Sequence, residues 1–179
     1  MGSRLSTRRV FLTGFMGAGK TSVGEALATR LGWRFHDLDR VIEARERRSV
    51  AEIFAATGEG GFRRSEAAAL AALLAEEAEP MVLALGGGTF VQEPNRRLLE
   101  NADGVTILLE ADVDELKRRC SRPGAVRPLA ADAIRFAQLL EERRPAYAHA
   151  RHRVQTGGKE IGQVVQEIVL LLESQAVRR

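Results

Sequence analysis

The segment Gly14-Phe15-Met16-Gly17-Ala18-Gly19-Lys20-Thr21 sets glycines, a lysine and a hydroxyl at the spacing G-x-x-x-x-G-K-[ST]. The chemistry this allows is polyphosphate binding. Glycine-rich backbone turns tightly with its N–H groups facing inward, and the start of the following helix completes a cradle for phosphate oxygens. Lys20 would place a point charge on the β- and γ-phosphates, and Thr21 would offer a hydroxyl to Mg²⁺. Lysine is otherwise scarce: of 27 basic residues only 20, 117 and 159 are lysine, so its presence here is unlikely to be drift.

Further chemistry-bearing residues follow. Asp37 and Asp39 stand at i and i+2; on a regular strand they share a face and point into the crevice where open α/β sheets bind ligands. The plainer reading makes Asp39 the cap of a helix beginning near Arg40. Arg63 and Glu66, three apart, can meet on one helix face. A carboxylate-held arginine keeps donors for a ligand carboxylate, whereas a surface ion pair would contribute little. Gly86-Gly87-Gly88 permits close approach of backbone to ligand, or a simple turn. Between Cys120 and Ala131, Pro, Gly and Arg describe an exposed loop, either a lid whose cations close over phosphates or an inert surface loop. Arg143 and Arg144 resemble a solvated face as much as a site.

These residues need elements to hold them. Residues 9–13 read as a buried strand, and Val23, Ala26, Leu27 and Leu31 as a helix face stopped by Gly32. Residues 33–39 predict a second strand. Ser49-Val50-Ala51-Glu52 is a capping box opening a short helix that ends at Gly58, and a long helix then runs to about Glu79. Strands are expected at 81–85, 105–109 and 152–156. Helices are expected at 95–101, after the cap Asp112, from 132 through a kink at Pro145 to 149, and from 161 to 172.

The chain of 179 residues suits one domain with a substantial core. It is 45% hydrophobic and 28% charged, as expected of a soluble globular protein. No apolar run approaches the ~20 residues of a membrane span. No secretory signal is visible, and Cys120 is the only cysteine, which points to a reducing, cytoplasmic setting. A net charge of +3, with scattered arginines and 5% aromatics, argues against nucleic acid and for small anionic ligands. No His/Cys spacing suggests zinc.

With these pieces placed, residues 9–172 resemble the shikimate kinases, small members of the nucleoside-monophosphate-kinase-like P-loop group. Besides the phosphate loop, the resemblance rests on Phe35-x-Asp37-x-Asp39, Ile42-Glu43, Ile53-Phe54, Gly58-Glu59-x-x-Phe62-Arg63-x-x-Glu66, Gly86-Gly87-Gly88, Arg127-Pro128-Leu129 and Arg143-x-Pro145-x-Tyr147. It implies a three-layer α/β fold, a five-stranded parallel sheet flanked by helices, with a substrate-binding segment near 33–66 and a lid near 120–131. It implies ATP and Mg²⁺, shikimate as acceptor, and a monomer. Asp39 would bind the phosphorylated hydroxyl as general base, and Asp37 would reach Mg²⁺ through water beside Thr21. Arg63, steadied by Glu66, and Arg143 would grip the carboxylate, with Gly86, Gly87 and Gly88 at the substrate. Gly17, Ala18, Gly19, Lys20, Thr21 and Ser22 would hold the phosphates, and Arg127 would close onto them. Arg119 would lie against adenine, with Lys159 about where relatives place an arginine. Ala84 departs from relatives that carry a hydroxyl near the magnesium water shell.

Overall fold

The computed structural model describes residue 5 and residues 7–121 and 132–176. Strands β1 (Arg9–Thr13), β2 (Arg34–Asp37), β3 (Met81–Ala84), β4 (Val105–Glu110) and β5 (His152–Gln155) form one parallel sheet in the order β2-β3-β1-β4-β5. The central strands are apolar almost throughout because helices cover both faces. Val10, Phe11, Leu12, Met81, Val82 and Leu83 have no exposed surface. Full burial of a side chain of Leu or Phe size contributes about 1.5–3 kcal/mol.

Seven helices among the described residues surround the sheet: α1 (Lys20–Leu31), α2 (Leu38–Glu46), α3 (Val50–Glu76), α4 (Glu93–Asn101), α5 (Val113–Cys120), α6 (Ala133–Tyr147) and α7 (Ile161–Ala176). A short 3₁₀ turn, Thr89–Val91, follows β3. Helix α1 packs on β2 and β3 and against α7. It lies so close to β2 that a Cβ on Gly24 would come within 2.5 Å of the Phe35 ring.

Local chemistry accounts for where the elements differ from the sequence expectations. Strand β2 stops at Asp37 rather than 39, because Asp37 Oδ1 accepts the Asp39 N–H at 3.1 Å and starts α2. Asp37, not Asp39, is therefore the cap. The capping box at Ser49 and Glu52 is present, with both reciprocal bonds. Gly58, at φ 66° and ψ −176°, is non-helical, so the short helix opened by the capping box stops there as expected and the Ala- and Leu-rich second half of α3 runs on from the kink to Glu76. Asp112 occupies the N-cap of α5 but its side chain makes no capping bond. Pro145 lies inside α6, which ends at Tyr147, two residues short of the expected 149.

Candidate active site

The strand order decides which loops meet. In an open parallel sheet, loops at the strands' carboxyl ends gather where the winding reverses. Here β2, β3 and β1 are consecutive neighbours, so the turns after Asp37, Ala84 and Thr13 lie side by side. They open onto a cavity of about 690 Å³.

The phosphate loop forms one wall. Gly17 and Gly19 have φ of 81° and 94°, conformations that a side chain would strain. Gly17 is also tightly enclosed, a Cβ there falling 2.7 Å from the Leu116 carbonyl. Lys20 Nζ donates to the carbonyls of Gly14 and Phe15 at 2.8 and 3.1 Å, which holds the ammonium over the loop. Gly17, Gly19, Lys20, Thr21 and Ser22 line the cavity. Ala18 does not: its side chain is fully buried and its N–H donates to the Phe15 carbonyl at 3.2 Å.

The acids stand opposite. Thr21 Oγ1 donates to Asp37 Oδ2 at 2.8 Å, while Asp37 Oδ1 accepts from the Asp39 backbone. A hydroxyl beside a carboxylate is a hard-oxygen pair that suits Mg²⁺ when phosphates and water complete the shell. No cluster of three or more His, Cys, Asp or Glu among the described residues would hold a metal alone. Asp39 is exposed where it opens onto the cavity, and the cavity walls partly desolvate its carboxyl. That desolvation, then the neighbouring Asp37 charge, raises its pKa above the ordinary value; Lys20 opposes the shift, and Glu66 and Glu43 add to it.

The third wall is cationic. Arg63 Nη1 pairs with Glu66 Oε2 at 2.9 Å, and Thr89 Oγ1 donates to Glu66 Oε1 at 2.6 Å. Arg63 Nε is buried and has no protein acceptor. Arg143 reaches the same cavity from α6, its guanidinium carbon 5.6 Å from the Phe15 ring centre. The glycine run explains how these groups fit. A Cβ on Gly86 would meet Thr89 Oγ1 at 2.9 Å and Asp39 Oδ1 at 3.1 Å, one on Gly87 would meet Arg143 Nη1 at 3.3 Å, and one on Gly88 would overlap the Arg63 guanidinium. Each glycine thus clears space for a different polar side chain.

Arg119 ties the phosphate loop to β5's end. It donates to Glu115, to the Gly17 carbonyl, and to both the hydroxyl and carbonyl of Thr156, at 2.7–3.3 Å. The Arg118 and Arg119 guanidiniums together hold the Glu115 carboxyl down at about 2. A second cavity of about 430 Å³ shares Gly19, Ser22 and Arg119 with the first and adds Ala18, Thr156 and Lys159. Lys159 Nζ pairs with Glu167. Arg127 and most of the expected lid lie outside the described residues.

Sequence reasoning missed several members. Val50, Phe54 and Phe62 form an apolar wall, with the two rings stacked 4.4 Å apart across the Gly58 bend. Phe62 also belongs to the buried core, and Phe54 is the ring left exposed at the cavity. Thr89 and Tyr147 were also passed over as site residues, although each directly adjoins or completes a quoted motif, the glycine run and Arg143-x-Pro145-x-Tyr147.

A phosphate loop between β1 and α1, an acid pair at the turn from β2 into α2 and two arginines across a glycine run define a P-loop phosphotransferase for a small anionic acceptor. A family profile described as shikimate kinase matches residues 16–173. The shikimate kinase of Geobacter metallireducens is 45% identical over 171 residues, covering 94% of this chain and 93% of the relative. A solved structure, shikimate kinase from Acinetobacter baumannii in complex with shikimate, matches with a TM-score of 0.86 at 34% identity, covering 95% of each chain. The chain belongs to the shikimate kinase family. A gluconokinase from Sinorhizobium meliloti, at 20% identity and a TM-score of 0.63, shares the fold.

Proposed function

We propose that the chain transfers the γ-phosphoryl group of ATP to the 3-hydroxyl of shikimate, giving 3-phosphoshikimate, a step toward chorismate and the aromatic amino acids. Phosphoryl transfer asks chiefly for alignment and for neutralised charge. Asp39 orients the acceptor hydroxyl and takes its proton. Lys20, with the loop amides of Gly17, Ala18, Gly19, Thr21 and Ser22, holds the phosphates, and Arg127 closes onto them. Thr21 and Asp37, hydrogen-bonded to each other, would hold Mg²⁺, which would supply neutralisation of phosphate charge.

Arg63 and Arg143 grip the shikimate carboxylate, Glu66 keeps Arg63 aimed, and the backbone of Gly86, Gly87 and Gly88 meets the substrate. Arg119 lies against the adenine in the second cavity. Residues 1–179 act as one domain, with 33–66 as substrate segment and 120–131 as lid, in a cytoplasmic monomer.

The observation carrying this reading is Arg63 Nε, a buried charged donor with no protein acceptor, on a side chain that lines one cavity with Arg143 and Asp39. A neutral sugar would leave Arg143 without a carboxylate and the spare Arg63 donor without an anionic acceptor, so the site selects an acid. The test is coupled ADP release with shikimate, with gluconate and with no acceptor. Release only with shikimate is expected; equal release with gluconate overturns the assignment.

A further inference from the structure

We propose that Tyr147 is a positioning residue for shikimate, its hydroxyl holding the Gly87 carbonyl beside the Arg143 guanidinium so that Arg143 and the Gly88 N–H face the cavity in fixed orientation. The inference rests on the reading of Arg143 as a carboxylate ligand.

The geometry is specific. Tyr147 Oη donates to the Gly87 carbonyl at 2.6 Å, and Arg143 Nη1 stands at the same glycine, 3.3 Å from where a Gly87 Cβ would lie, with its charge acting on the phenol. Arg143 and Tyr147 stand at i and i+4, on one face of α6. A hydroxyl has one proton to give, here to Gly87, and keeps its lone pairs for the neighbouring guanidinium. Tyr147 is 3% exposed and does not line the cavity, so it acts through its neighbours.

Two consequences follow for the substrate. First, Arg143 loses freedom at its tip before any ligand arrives, which lowers the entropy lost on binding a carboxylate. Second, the peptide between Gly87 and Gly88 is planar and trans. Drawing the Gly87 carbonyl toward Tyr147 turns the Gly88 N–H the opposite way. Gly87 has no side chain to fix that peptide by packing, so the phenol does it from behind. Burial pushes the Tyr147 phenol up to about 12, against the opposing pull of Arg143, so the donor keeps its proton at any working pH.

The experiment is a double-mutant cycle on steady-state constants, with Tyr147→Phe, Arg143→Gln and the pair. Tyr147→Phe should raise KM for shikimate about tenfold and leave KM for ATP and kcat within about twofold. In the Arg143→Gln background the same change should add less than about twofold, because its main route of action is gone. The proposal is overturned if Tyr147→Phe leaves the shikimate KM unchanged, or raises it equally in both backgrounds. It is also overturned if the variant no longer folds, since the hydroxyl would then be structural. If Arg143→Gln alone leaves shikimate KM unchanged, the carboxylate reading fails instead.

Discussion

Arg63 and Glu66 meet at 2.9 Å on α3, and the carboxylate of that pair is 1% exposed. At three residues' separation on a helix such a pair is ordinarily solvated and nearly neutral in its effect on stability. Here Thr89 occupies the second carboxylate oxygen, and Arg63 keeps a buried donor for something else. A buried charge that loses its partner is costly. Glu66→Ala should therefore destabilise the fold by about 3 kcal/mol, lowering Tm by about 6–12 °C in a chain of this size. Thermal melts of the variant against the parent measure it.

The glycine run should be intolerant in a graded way. Gly88 has φ −105°, which any residue adopts, so Gly88→Ala acts by its methyl group striking the Arg63 guanidinium. KM for shikimate should rise about tenfold or more while KM for ATP stays within about twofold. Gly162→Ala on α7, where a Cβ meets nothing within 4 Å, serves as control. It should stabilise the protein by about 0.5–1 kcal/mol through helix propensity and leave activity unchanged.

Asp39 sets a pH expectation. Its carboxyl is held above the ordinary aspartate value, first by desolvation and then by Asp37. A general base works only when ionised, so kcat/KM should fall on acidification with a midpoint above the usual aspartate range, and Asp39→Asn should lose about 10²–10⁴-fold in kcat. Stability should move the other way. Between the unfolded and the raised folded pKa the native state binds more proton, so this group's contribution to stability is lost as pH rises through that window. Asp39→Asn should melt above the parent at neutral pH, and the difference should close as the buffer is taken below about 4. Equal melting at pH 7 would remove the desolvation argument.

Lys20→Ala should reduce kcat by about 10³-fold or more while leaving the fold intact. Its side chain lines the cavity, where the amine donates to the loop carbonyls of Gly14 and Phe15. Circular dichroism alongside single-turnover kinetics separates loss of chemistry from loss of structure.

Much of this was legible beforehand because the signals are local. Gly17, Gly19, Lys20 and Thr21 are consecutive or nearly so, and their backbone chemistry needs only the strand and helix on either side. The Ser49 capping box and the helix break at Gly58 are likewise decided within a few residues. Asp37 and Asp39 show where local reading stops. Both do face the cavity, but by a strand-to-helix turn that Asp37 itself caps, rather than by sharing a strand face.

Sequence alone determined the phosphate loop, the alternation of strand and helix, and the identities of the acids and arginines available for chemistry. Tertiary structure decided which of them act together. The order β2-β3-β1 brings residues 37, 39, 63, 86–88 and 143 to one hollow, turns Phe54 and Phe62 into a wall, and buries Glu66 so that Arg63 is aimed. The reason is that hydrogen-bonded turns and caps are set by neighbours in the chain, whereas burial, and with it the strength and direction of every charge in the site, is set by neighbours in space.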